Sequence, residues 1–93
     1  MEFYIDEIKS KLFEFNKIKI LLRDETICIF SNFFFIKIKI VGSSCVSFNR
    51  TWFLGILGKF IFKEKHKDYC NIFLILEKYF KENKIDVVDM KKN

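Results

Sequence analysis

Several residue types that carry chemistry or punctuate structure are missing or scarce in this 93-residue chain. Alanine, glutamine and proline are absent, glycine and cysteine occur three times each, and His66 is the lone histidine. With no proline and so little glycine, no stretch reads as a linker, and residues 1–93 are expected to form a single domain around one core. The cysteines, Cys28, Cys45 and Cys70, are odd in number and contain no C-x-x-C pair. That excludes a closed disulfide framework and a preorganised zinc site. No run reaches the roughly 18 apolar residues of a membrane span. The N-terminus carries Glu2, Asp6 and Glu7 where a secretory leader needs positive charge and an unbroken apolar stretch. A reducing, cytoplasmic setting is therefore expected, which for a viral protein means the host cytoplasm.

Catalytic groups are equally sparse. His66 lies among Lys63, Lys65 and Lys67, neighbours that lower imidazole basicity and repel a metal cation. Cys45, in Ser43-Ser44-Cys45, would need His66 as its activating base, and nothing in the sequence places the two together. Gly42-Ser43-Ser44 lacks the length and the lysine of a phosphate-binding loop. The carboxylates Asp6, Glu7, Asp24, Glu25, Asp86 and Asp89 all fall on expected surface. The expectation is a non-enzymatic protein with no catalytic residue, no metal and no cofactor.

What is abundant is isoleucine, lysine, phenylalanine and asparagine, which together supply more than half of the chain. All four have A/T-rich codons, so nucleotide bias explains part of the lysine content. Lysine outnumbers arginine 15 to 2, whereas bidentate reading of phosphate or guanine favours arginine. The net charge of +5 thus permits a polyanionic partner without requiring one. Thirteen phenylalanines are more than a domain of this size easily hides, which leaves some for a partner or a second copy of the chain.

The strongest pattern is Phe-Phe-Phe-Ile-Lys-Ile-Lys-Ile-Val at residues 33–41, where isoleucine alternates with lysine at the period of a strand with one buried and one wet face. Residues 17–22 and 26–30 read as two further strands around Arg23-Asp24-Glu25, residues 45–49 as a fourth, and 85–90 as an edge strand ahead of a Lys91-Lys92-Asn93 tail. Ile5, Ile8, Leu12 and Phe15 form one stripe of a helix over residues 2–15, stopped at Asn16. Tyr69, Ile72, Phe73, Leu76 and Phe80 form the stripe of a second helix over 69–82, capped by Asp68, with the charged loop 63–67 before it. Residues 51–62 are almost continuously apolar, a pattern that period alone assigns to neither strand nor helix. Gly55 and Gly58 disfavour a helix interior by about 1 kcal/mol each, and Gly58-Lys59 suits a tight turn, so a hairpin of 52–57 with 60–63 is expected. Asn16-Lys17 and Asn83-Lys84 each separate a helix from an alternating strand, an echo attributed to shared local physics and not to duplication.

The fold class that follows is α+β: an antiparallel sheet of four to six strands with two helices, 2–15 and 69–82, packed on one face. Ile18, Ile20, Leu22, Ile36, Ile38 and Ile40 would face the helices. The opposite face would carry Lys17, Lys19, Arg23, Lys37 and Lys39 with Phe33 and Phe35 beside them, a combination suited to stacking bases and neutralising phosphates. A second basic candidate is the loop Lys63, Lys65, His66 and Lys67 ahead of the last helix. The order helix–strand–strand–strand–helix with lysines before the final helix is similar to that of double-stranded-RNA-binding domains, except that there a short basic loop joins the last strand to the helix and here residues 42–68 intervene.

The leading functional expectation is a small interaction protein that binds a protein or ribonucleoprotein target stoichiometrically. A short A/T-biased chain of this kind fits a phage or mobile-element inhibitor of host defence, anti-CRISPR-like in action. The alternatives are RNA or single-stranded DNA binding through the basic sheet face, homodimer formation through the surplus aromatics, and a peripheral membrane module built on residues 52–62. A membrane is the least expected of these partners.

Overall fold

The computed structural model describes residues 2–89, with side chains over 5–88, so Met90 and the Lys91-Lys92-Asn93 tail lie outside the described residues. The chain runs α1 (Glu2–Lys11), β1 (Lys19–Arg23), β2 (Thr26–Phe30), β3 (Phe34–Gly42), β4 (Cys45–Trp52), α2 (Gly55–Ile61), α3 (Lys63–Glu82) and β5 (Asp86–Asp89). The strands form one sheet in sequential order, β1-β2-β3-β4-β5. The class is α+β and the strand number falls within the expected four to six.

The isoleucine alternation does what its period requires. Ile27 and Ile29 of β2, Ile36 and Ile38 of β3, and Phe48 of β4 are all at most 1% exposed. Against this face pack Ile8 and Leu12 from the N-terminal segment and Tyr69, Ile72, Leu76, Tyr79 and Phe80 from α3. Each fully buried Ile, Leu or Phe of this layer contributes about 1.5–3 kcal/mol by leaving water. The expected inward residues Ile18, Ile20 and Leu22 pack at the margin of this core, because β1 is an edge strand. Tyr79 donates its hydroxyl hydrogen to a Glu7 carboxylate oxygen and so ties α3 to α1.

Five departures from the expected layout have clear local causes. The first helix ends at Lys11 and not at residue 15. The amide of Leu12 is shared between the carbonyls of Ile8 (3.1 Å) and Lys9 (3.2 Å), which tightens the last turn, and Phe15 then closes a turn onto Leu12. The expected stop at Asn16 is displaced to Lys17, whose φ of 61° is left-handed. Lys84 repeats this at φ 58°, so in both Asn-Lys pairs the lysine reverses the chain. At the second site Asn83 instead caps α3, its side-chain amide donating to the Tyr79 carbonyl at 2.8 Å.

The second departure is that residues 63–67 are helix and not loop. Lys63, Glu64, Lys65 and Lys67 are good helix formers, and α3 begins at Lys63, five residues ahead of the expected Asp68 cap. The third is the failure of the hairpin. β4 continues to Trp52, and α2 occupies Gly55–Ile61, making three helices where two were expected. The glycines that weighed against a helix shape its start: Gly55 takes φ +65° at the first position, and Gly58 is buried with its amide bonded to the Leu54 carbonyl at 3.1 Å. A Cβ on Gly58 would come within 2.2 Å of the Leu54 Cβ, so only glycine allows this turn to close. The Trp52 indole N–H donates to the Gly55 carbonyl at 3.0 Å and pins α2 to the end of β4.

The fourth departure is the direction of β5, which pairs with β4 in parallel, so the sheet is mixed and not wholly antiparallel. Parallel neighbours need a crossover connection, which α2 and α3 supply here. The Asp86 amide starts the pairing by donating to the Ser44 carbonyl at 2.9 Å. The fifth is Phe33, which precedes β3 and leaves the alternation.

Replacing Gly58 tests the close approach. Helix propensity alone would make Gly58→Ala stabilising by about 1 kcal/mol. The clash with Leu54 instead predicts destabilisation of about 1–3 kcal/mol, the usual cost of overpacking, with faster hydrogen exchange at the Phe62 amide. A rise in Tm for Gly58→Ala would contradict the packing described.

Candidate functional site

Strand alternation turns half of each strand's side chains away from α1 and α3, and the register lines these up in rows across the sheet. One row is Lys19, Phe30, Phe35 and Thr51, the next Leu21, Cys28, Lys37 and Asn49, and the third Arg23, Thr26, Lys39 and Ser47. None of these residues belongs to the helix-packed core, although Ser47 is buried. The lysines, Arg23, Leu21 and Thr51 are exposed, while Phe30 and Phe35 are half-buried. β5 adds Asp86 and Val88 at the edge beside Cys45 and Ser47.

The basic face expected from sequence is thus assembled in part. Lys19, Arg23, Lys37, Lys39 and Phe35 share it. Lys17 does not lie on a strand, because its left-handed backbone breaks the alternation before β1 begins. Phe33 is removed altogether: its ring stacks on Trp52 (6.4 Å, 17°) and meets Phe62 at 5.1 Å. Its place is taken by Phe30, whose ring centroid lies 6.4 Å from that of Phe35 on the adjacent strand. The alternation Thr26, Cys28, Phe30 is the sequence signal that marks Phe30 as outward.

The second basic candidate does not exist as a loop. Lys63, Lys65, His66 and Lys67 occupy the first turns of α3, which follows α2 directly through Phe62. Lys65 reaches back to 5.9 Å from the Phe33 ring. His66 is half-buried and packs edge-on against Trp52 at 4.8 Å. Burial holds its imidazole below the ordinary value, and the Lys59 ammonium adds to the shift. Its Nδ1 lies 3.9 Å from the Cys70 thiol, whereas Cys45 sits at the opposite end of β4 from Trp52 and the imidazole against it. Arg50 lies 3.9 Å over the Phe73 ring and 5.9 Å from Tyr69. Burial raises the Tyr69 hydroxyl pKa, with Arg50 opposing it. Among the described residues no group of three His, Cys, Asp or Glu side chains is placed to hold a metal.

A third surface was not anticipated in this form. The apolar segment that ends β4 and forms α2 is largely outside the core. Ile56, Leu57, Phe60 and Ile61 are 69–74% exposed, and Phe53, Leu54 and Phe62 are 40–52% exposed. The hairpin expected over residues 52–63 would not have formed this ridge. The spacing of Ile56, Leu57, Phe60 and Ile61 puts them on one side of α2, and it is Gly58, on the other side, that is buried.

Comparison with known protein families, curated proteins and solved structures returns no match. No helix of the described residues is long and apolar enough to cross a membrane.

The His66 environment predicts a pH effect of definite sign. Its folded pKa lies below the unfolded value of 6.5, so the unfolded chain binds the proton more readily. The stability this contributes is complete above about pH 6.5 and is lost as pH falls through the depressed folded value. Wild-type Tm should therefore drop more between pH 7 and pH 5 than that of His66→Gln. Parallel Tm–pH curves for the two proteins would refute the assignment.

Proposed function

We propose that this protein is a small non-catalytic interaction protein that binds a protein or ribonucleoprotein target stoichiometrically, with the α2 ridge as its principal contact. The observation that carries this reading is the exposure of Phe53, Leu54, Ile56, Leu57, Phe60, Ile61 and Phe62 within one short segment. A contiguous apolar patch of this kind is rare on a monomer that meets no partner. The ridge is also ordered without being part of the core, held by the Trp52–Gly55 hydrogen bond and the Gly58 approach. Preorganised apolar anchors of this type lower the entropy cost of association.

The remaining features agree with the reading. The chain is short, biased towards A/T-rich codons and carries a net charge of +5. That is the character of a phage or mobile-element accessory protein, and inhibition of a host defence system, anti-CRISPR-like in action, is the role we assign to it. Cys28, Cys45 and Cys70 are all free thiols, which suits the reducing host cytoplasm.

The ridge can be removed without touching the core. Burying each of Ile56 and Phe60 at an interface is worth about 1.5–3 kcal/mol, so Ile56→Asp with Phe60→Asp should weaken a stoichiometric complex captured from the host by at least about a hundredfold. Native mass spectrometry reads the stoichiometry, and circular dichroism confirms that the variant is folded. Capture unchanged by the substitutions would refute the reading, as would flotation of the wild-type protein with liposomes or a dimer in light scattering that the substitutions dissociate.

A further inference from the structure

We propose that the open face of the sheet is a second binding surface, distinct from α2, that takes single-stranded nucleic acid. The proposal shares no residue with the ridge and does not depend on it. It rests on what the register places together. Each of the three cross-strand rows holds a cation: Lys19 in the first, Lys37 in the second, Arg23 and Lys39 in the third. Within the rows there is no carboxylate. Asp86 lies on the far edge strand, and Asp24 and Glu25 lie in the turn between β1 and β2.

The first row also contains the Phe30–Phe35 pair. The two rings are cross-strand partners on β2 and β3, with centroids 6.4 Å apart and planes tilted by 49°. These half-buried phenylalanines lie outside the core, which is built from the opposite side chains of the same strands. Thr51 and Asn49 on β4 border the rings and the central lysine with hydrogen-bonding groups. Aromatic platforms flanked by cations recognise single strands because every unpaired base has a π face and every nucleotide a phosphate. A duplex keeps its bases stacked on one another and cannot use the rings. A protein partner would find an apolar centre interrupted by Lys37 and Lys39, both exposed, so charge complementarity favours the polyanion.

The test is titration of fluorescein-labelled 12-mers of oligo-U RNA and oligo-dT with the whole protein, by anisotropy, between 50 and 200 mM salt. Four cations on phosphates predict a slope of log affinity against log salt approaching about −2.8, at roughly −0.7 per phosphate for a single strand. Phe30→Leu and Phe35→Leu keep the face apolar but remove the rings, and each should weaken binding by about fivefold or more. Lys37→Glu with Lys39→Glu should abolish it, while Lys81→Glu with Lys84→Glu, equal in charge but outside the face, should retain most of it. Binding to both strands, or to one in preference, supports the proposal and identifies the sugar chemistry recognised.

The proposal is overturned by no binding at 50 mM salt, by equal affinity for a duplex of the same length, or by equal losses in the two lysine pairs. Binding that survives loss of the rings overturns it as well. So does a dimer in light scattering that Lys37→Glu with Lys39→Glu dissociates, because a second copy would then occupy the face. The glutamate pairs alter exposed side chains only, so the test stands if a Phe variant fails to fold.

Discussion

The rest of the molecule depends on the burial of one face of β2 and β3 beneath α3. Ile27, Ile29, Ile36 and Ile38 are at most 1% exposed, and Ile72, Leu76 and Phe80 meet them from the helix. A one-residue slip in either strand would turn the isoleucines to water and the lysines inward, at a cost of several kcal/mol for each pair exchanged. The register is thereby locked, and that same lock places Lys37 and Lys39 on the outside. The basic face is a by-product of core formation as much as a surface in its own right, which is why its chemical content, the Phe30–Phe35 pair above all, decides how it is read.

The two surfaces differ in origin. The sheet face is rigid because every residue on it belongs to a strand whose other side is packed. The α2 ridge is rigid for local reasons: an indole hydrogen bond, a left-handed Gly55 and a glycine at position 58 that admits Leu54. Between them lies an aromatic cluster in which Phe33, Trp52, His66 and Tyr69 contact one another in sequence. This cluster joins the end of the sheet to the α2–α3 junction. It also accounts for the lowered basicity of His66, where burial is the larger cause and the Lys59 ammonium adds to it. A protein that engages a ribonucleoprotein would have use for both surfaces, one apolar and one cationic.

Legibility tracked how local each determinant is. The β2–β3–β4 meander and the apolar stripe of α3 were readable because a period of two or 3.6 is a local property, and the core residues followed from it. The end of α1 was misplaced by four residues, since the tightening at Leu12 and the reversal at Lys17 leave no mark in the side-chain pattern. Lys63, Glu64, Lys65 and Lys67 suggest a loop because charge marks exposure, while exposed helix carries the same charge. Gly55 and Gly58 were read for their average cost in a helix, when their effect here depends on one contact with Leu54.

By itself the amino-acid sequence determined the α+β class, the inward isoleucines and the outward Lys19, Arg23, Lys37, Lys39 and Phe35, all consequences of periodicity and burial. Only the tertiary structure decided that Phe30 and not Phe33 completes the aromatic pair, because pairing across strands is set by register and by where a strand begins. It likewise decided that β5 runs parallel, through the crossover that precedes it, and that residues 53–62 stand outside the core. Apolarity records a preference for leaving water. Whether the chain's own core can accept those side chains is a question of space, and here β2, β3, β4 and α3 have already filled it.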